Sequence, residues 1–323
     1  MRQITYAEAM VEALDEVLQA DERVSLIGSY FLGLSPRRVL LNTLRDKFPD
    51  RVFDPPISEA GYCGLGIGAA MAGERPIVDV GTSSFLYQAF AQVVNEAANA
   101  RYMSGGQIQV PVVFHMLHGI RGGGGAQHSH SPQSMLWNAP GLQIMLPSSP
   151  GDVKGLLKTA MASNNPTIFI DHAKLFEVVG PVPDGDYAIP FGKANVVREG
   201  SDATLVATSY MVQRSLLAAD LLAREGISVE VVDLRTLVPL DKETLLASVA
   251  KTGHLVIADE GHRSCGVGAE LAAIAAEEGF HHLKAPVKRV VTPDVPIPFS
   301  PPLEQFLDPT EEKIVAAVRE VLK

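Results

Sequence analysis

Glu59 opens the run Glu59-Ala60-Gly61-Tyr62-Cys63-Gly64-Leu65-Gly66-Ile67-Gly68-Ala69-Ala70. A helix so poor in side-chain bulk lets another backbone or a flat ligand approach closely. The carboxylate at its head is expected to be buried. A buried carboxyl in apolar surroundings keeps its proton to higher pH and can share that proton with a ring nitrogen. The simpler reading is an acid placed in the first helical turn to suit the macrodipole, worth about a few tenths of a kcal/mol. The residues alone leave both open. The same run holds Gly64-x-Gly66-x-x-Ala69, with Asp79 further on, a variant of the dinucleotide fingerprint. That fingerprint needs a strand running directly into the glycine turn, and residues 54–63 read DPPISEAGYC, so nicotinamide binding is not supported.

A second group is Gly122-Gly123-Gly124-Gly125-Ala126-Gln127-His128-Ser129-His130. Consecutive glycines carry a heavy conformational entropy cost, so they mark a loop that bends closely around something or moves. Imidazoles at its end can exchange protons near neutral pH. Spaced as HxH, His128 and His130 are alternatively metal ligands, although no third ligand of convincing spacing lies near, and an idle solvated loop is the bland reading. Gly28-Ser29 and Gly81 put further small residues after strands, where ligands of parallel sheets collect.

The elements that must position these groups alternate along the chain. Thr5 and Glu8 form a capping box ahead of Met10, Val11, Leu14, Val17 and Leu18, an amphipathic helix. Short apolar runs at 23–27, 75–80, 110–116, 142–146 and 167–171 are expected strands, with helical stretches at 84–100 and 152–162 among them. Alternation of this kind implies parallel strands with helical crossovers, covered on both faces. Residues 177–187, EVVGPVPDGDY, look like a linker, and a domain boundary is placed there, between 180 and 181. A smaller alternating block follows, with strands at 203–208, 229–234, 255–259 and 287–291 and helices at 212–224, 242–251 and 269–278. The stretch 293–302, with five prolines in ten residues, is expected to be an extended surface strap. A last amphipathic helix covers 311–322. The fold class is therefore α/β, with two doubly wound domains, 1–180 and 181–323.

Composition bounds the function. The 323 residues are about twice an ordinary domain of ~150. With 46% hydrophobic and 20% charged residues, the chain can bury a core. A net charge of -10 with no basic run argues against nucleic-acid binding. The most apolar stretch, Gly61 to Gly73, is too short for the ~20 residues that span a bilayer. Acids at 8, 12, 15 and 16 interrupt any signal-peptide core, so a reducing cytoplasm is expected. Cys63 and Cys265 cannot build a disulfide framework or a four-ligand zinc site, and both are expected to be buried thiols.

Taken in order, ISEAGYCGLGIGAAMAGERPIV, YMSGGQ, GGGGAQHS, PGL, NNP, VVDLRTLVPLD, DEG and PDVPIPFSPPLE resemble the beta subunits of thiamine-diphosphate-dependent 2-oxo-acid dehydrogenases, the pyruvate, branched-chain and acetoin enzymes. The resemblance runs from Ile4 to the C-terminus. It implies a pyrimidine-type thiamine-diphosphate fold followed by a transketolase C-terminal domain. It also implies that Glu59 hydrogen-bonds the cofactor's aminopyrimidine nitrogen, that Phe85 packs on that ring, and that His128 works at the substrate end. Val112, Ala160, Met161, Ser163 and Asn165 match residues that hold a structural potassium ion, with Ser163 standing where aspartate is common. Departures occur at Gly28-Ser29-Tyr30, where the family has Gly-Glu-Asp, and at 80–84 and 115–121, which border the expected substrate pocket. No GDG motif for diphosphate and magnesium occurs. The resemblance therefore implies an alpha subunit that holds Mg2+ and the diphosphate, a second beta subunit, and a lipoyl-bearing acyltransferase as acceptor. The alternatives are a split transketolase or synthase subunit and a catalytically degenerate assembly subunit.

Overall fold

A computed structural model describes residues 1–28, 31–33 and 35–323. Ser29 and Tyr30, where the family glutamate is replaced, lie outside the described residues. The chain divides into two compact units, Met1–His118 with Met135–Phe191, and Gly119–Ser134 with Gly192–Lys323. The chain thus passes between units after Phe191, beyond the 180/181 boundary read from the linker, and the glycine loop packs with the second unit.

The first unit contains strands β1 (Arg2–Thr5), β2 (Val24–Ile27), β3 (Val52–Phe53), β4 (Arg75–Thr82), β5 (Val113–His118), β6 (Gln143–Met145), β7 (Thr167–His172) and β8 (Val179–Val182). Six of them form a parallel sheet in the order β6-β7-β5-β4-β2-β3. Every residue of β5 and β7 is buried, as continuous apolar runs covered on both faces require. The order reverses direction between β2 and β4, and ligands of such sheets collect outside the strand ends at that point. Helices α1 (Tyr6–Ala20), α2 (Asn42–Lys47), α3 (Glu59–Met71), α4 (Ala98–Met103), α5 (Gln133–Trp137) and α6 (Pro150–Ala162) follow in chain order. The capping box is present: the Glu8 N–H donates to Thr5 Oγ1 and the Thr5 N–H donates to Glu8 Oε2.

The second unit has β9 (Asn195–Arg198), β10 (Ala203–Ala207), β11 (Val229–Asp233), β12 (Thr236–Val238), β13 (Leu255–His262) and β14 (Lys288–Thr292). Its sheet runs β14-β13-β10-β11-β9, parallel except for β9. Helices α7 (Tyr210–Ala223), α8 (Lys242–Thr252), α9 (Val267–Glu278), α10 (Pro301–Leu307) and α11 (Glu311–Val321) accompany it. Leu205, Val231, Val256, Met211 and Val318 are among the side chains of its core. Among the described residues, no helix is long and apolar enough to cross a membrane.

Four expectations are corrected. The 177–187 segment is not only linker: β8 pairs antiparallel with β1, and Pro181 opposes Gln3 there. The proline strap is not extended throughout, since Pro301 and Pro302 open α10, where a missing N–H costs nothing. The helix expected over 84–100 is a 3-10 turn (83–89), a π-helical segment (92–97) and then α4. Cys63 is buried as expected, but Cys265 is exposed, at a positive φ of 54° before α9.

The small residues of α3 are not equivalent. A Cβ at Gly66 would sit 2.3 Å from Val78 Cγ2, so helix and sheet touch there, whereas a Cβ at Gly68 meets nothing within 4 Å. Gly66→Ala should therefore cost about 1–3 kcal/mol by overpacking. Gly68→Ala should be neutral or gain up to about 1 kcal/mol from helix propensity. Urea unfolding of the two variants of this chain checks the contrast, and equal midpoints would refute it.

Candidate functional site

Glu59 is the first residue of α3, preceded by Ser58, whose side chain makes no capping bond. It is only partly buried, contrary to expectation, because it stands at the helix N-terminus next to the exposed residues Pro56, Ile57 and Ser58. Cys63, one turn on, faces the core; burial, with Glu59 adding to it, pushes its thiol up to about 12. The thiol is thus an inert apolar group. Helix α3 packs against the 83–89 turn that carries Phe85, so the unit brings together the helix of one expected site residue and the turn of the other. Phe85 is half-buried. The β2–β4 reversal lies beside them. Gly28 follows β2 at φ 98°, and a Cβ there would meet the Asp79 carbonyl at 2.8 Å, so only glycine fits this approach.

The centre of the same sheet carries a charge network that the sequence does not announce. His115 on β5 is 2% exposed. Its Nδ1 lies 3.1 Å from Asp79 Oδ1 on β4 and its Nε2 2.8 Å from Asp171 Oδ2 on β7. Tyr6 donates its hydroxyl to the other Asp171 oxygen, and the Gly81 N–H donates to Asp79 Oδ1 at 3.0 Å. Phe31 stacks on the imidazole at 4.8 Å between centroids. Burial alone would push this imidazole down; Asp171 and Asp79 outweigh burial and raise it to about 9. His115 is therefore an imidazolium at neutral pH, donating from both nitrogens, and is not a metal ligand. The signal in the sequence was three polar residues, Asp79, His115 and Asp171, inside runs otherwise apolar.

His128 lies at the far end of the glycine loop and is exposed. Within the second unit the loop closes on itself: the Gly119 N–H donates to the His130 carbonyl at 3.1 Å, and Arg121 Nη2 donates to the His128 carbonyl at 2.7 Å. Gly122, Gly123 and Gly125 have φ of 93°, 74° and 64°, which side-chain-bearing residues rarely adopt. His130 lines a pocket of about 600 Å³ with His262, Ser264 and Asp294. Burial and His262 both hold the His130 imidazole below its ordinary value. Among the described residues no group of three or more His, Cys, Asp and Glu is arranged to hold a metal, so nothing joins His128 and His130 as a third such ligand.

The residues expected to hold potassium were tested by what their carbonyls accept. Arg75, 9% exposed, donates from Nε and Nη2 to the Met161 carbonyl at 2.9 and 2.7 Å and from Nη2 to the Ser163 carbonyl. The Val112 carbonyl accepts from the Thr167 N–H at 2.9 Å, the Ala160 carbonyl from the Ser163 N–H at 3.1 Å, and the Asn165 carbonyl from Thr167 Oγ1 at 3.4 Å. A guanidinium already supplies positive charge among these groups, and an added cation would be repelled. As they stand they do not fit the ion.

Residues 2–177 match the pyrimidine binding domain of transketolase and residues 192–314 the transketolase C-terminal domain. The chain is 42% identical to the pyruvate dehydrogenase E1 component subunit beta-1, mitochondrial, of Oryza sativa subsp. japonica, covering 98% of this chain and 86% of that protein. It is 41% identical to the acetoin:2,6-dichlorophenolindophenol oxidoreductase subunit beta of Cupriavidus necator, over 100% of this chain and 98% of that one. Among solved structures, a split gene transketolase described as an inactive beta4 tetramer superposes with a TM-score of 0.81 at 27% identity, covering 99% of this chain and 98% of that one.

The His115 network makes stability depend on pH in a defined direction. A folded value near 9 against an ordinary 6.5 means that its contribution is full below about pH 6.5 and is lost as pH rises through 9. The loss is on the order of 3 kcal/mol. Urea titrations at pH 6.5 and 9.5 should show this fall in the parent chain and a flatter profile in His115→Gln; identical profiles in the two would refute it.

Proposed function

This chain belongs to the family of transketolase-type beta subunits that includes the pyruvate dehydrogenase E1 component beta subunits, and from that premise we propose that it supplies the aminopyrimidine half of a thiamine diphosphate site in a decarboxylating 2-oxo-acid dehydrogenase. The observation that carries the reading is the approach to Glu59. Glu59 heads α3 and is only partly buried, and the turn bearing Phe85 packs against the same helix, so an accessible carboxylate and an aromatic ring stand on neighbouring elements. The residues fit the group. When bound, thiamine diphosphate supplies the carbon nucleophile and electron sink that loss of CO2 from a 2-oxo acid requires.

In this reading Glu59 holds a proton between its carboxylate and the pyrimidine ring nitrogen, acting as the acid–base partner of that atom. Phe85, on the turn packed against α3, offers an aromatic face to the ring. His128, on its glycine loop, orients the 2-oxo acid or assists acyl transfer to a lipoyl-bearing acyltransferase. An alpha subunit holds the diphosphate and Mg2+, and two beta subunits join two alpha subunits. A transketolase whose beta chains form an inactive tetramer has this fold, which supports dependence on a second kind of subunit. The reading as a split transketolase rests on 27% identity, against 41–42% for the dehydrogenase beta subunits. The reading as a degenerate assembly subunit would leave Glu59 dispensable.

The test is Glu59→Gln in the complex reconstituted with an alpha subunit, assayed by dye reduction with pyruvate, branched-chain and acetoin substrates. General acid–base catalysis predicts a loss of about 10²- to 10⁴-fold in kcat with the complex intact. Unchanged turnover would reject the catalytic reading.

A further inference from the structure

We infer that Glu304 is the positioning residue of the glycine loop that carries His128. This rests on the reading of His128 given above and assigns the residue that makes that loop single-valued. Glu304 lies in the first turn of α10 and is 3% exposed. Its two carboxylate oxygens are spent on consecutive backbone amides of the loop: the Gly122 N–H donates to Oε1 at 3.0 Å and the Gly123 N–H to Oε2 at 2.6 Å.

Charge-assisted bonds of this kind are stronger than neutral ones, and two from one rigid carboxylate fix orientation as well as distance. The rest of the surroundings acts in the same sense. The Ile120 N–H donates to Glu260 Oε1 at 3.2 Å, and the Ile120 side chain packs with Ile297 and Leu307. Phe299 lies against Gly123 and Gly125, with its nearest atoms 3.8 and 3.7 Å from where their Cβ atoms would be. The proline strap and α10 thus form a shelf under the loop, and Glu304 ties the loop to it through both carboxylate oxygens.

The need for a tie follows from the loop's composition. Four successive glycines, three of them at positive φ, have more conformations to lose than any other residues. Without the carboxylate the loop would populate many arrangements, and only the fraction with His128 in place would turn over. Glu59 and Phe85 belong to the other unit, so cofactor binding is read separately from the loop.

The experiment uses the reconstituted alpha–beta complex with Glu304→Gln and Glu304→Ala, and His128→Ala beside them. Gln keeps one acceptor oxygen and nearly the same shape. Hydrogen exchange in peptides covering 119–130 should quicken by about tenfold in Glu304→Ala and less in Glu304→Gln, since one of two amide bonds survives. kcat should fall in the same order, with the dissociation constant of thiamine diphosphate unchanged. Exchange as slow as in the parent in both variants overturns the inference, as does faster exchange with full kcat while His128→Ala is impaired. If His128→Ala itself retains full activity, the reading of His128 fails, and the loop exchange alone then decides the clamp. Should Glu304→Ala not fold, the graded Gln variant carries the same comparison.

Discussion

An imidazolium enclosed by two aspartates fixes the central strands from which the first unit's site departs. Asp79, His115 and Asp171 come from β4, β5 and β7, adjacent in the sheet. Bare carboxylates in an apolar interior are costly, and one cation with hydrogen-bond donors from Tyr6 and Gly81 makes the pair tolerable. β4 runs straight into the turn bearing Phe85, and β5 runs on into Gly119 and the glycine loop. A polar lock between these strands, at the ends where parallel sheets gather ligands, holds the departure points of both segments.

The second unit meets a different demand. Its site segment has almost no side chains with which to pack, so its shape is imposed from outside by acceptors and an aromatic ring: Glu304, Glu260 and Phe299. Rigid strands supply precision in one unit. In the other, a flexible segment is tied down residue by residue. The glycines permit the positive φ values, and the carboxylate of Glu304 selects among what they permit.

Much of this was legible in the sequence, for identifiable reasons. Continuous apolar runs such as 167–171 became fully buried strands, and the Thr5–Glu8 capping box began its helix as expected. The second domain's alternation emerged within a residue or two at most ends. What stayed hidden depended on partners distant in the chain. β1 and β8 are short edge strands whose pairing comes from backbone contact, without any apolar pattern. Glu304 was visible only as the end of a proline-rich motif, although its role follows from two amides some 180 residues away. Glu59 was expected to be buried because its helix is apolar, yet it heads that helix directly after an exposed segment and is only partly covered. Potassium was carried over from the family's residue types, and only the geometry put Arg75 among those carbonyls.

In the proposed reading Glu59 and Phe85 meet the pyrimidine ring and His128 the substrate, and the diphosphate falls to another subunit. The account's central claim is that these 323 residues form one half of a cofactor site. Titration calorimetry with thiamine diphosphate and Mg2+ tests it most directly, run on this chain alone and on the chain combined with an alpha subunit. The account predicts no saturable binding by the chain alone and saturable binding by the combination. Tight binding by the isolated chain would contradict it.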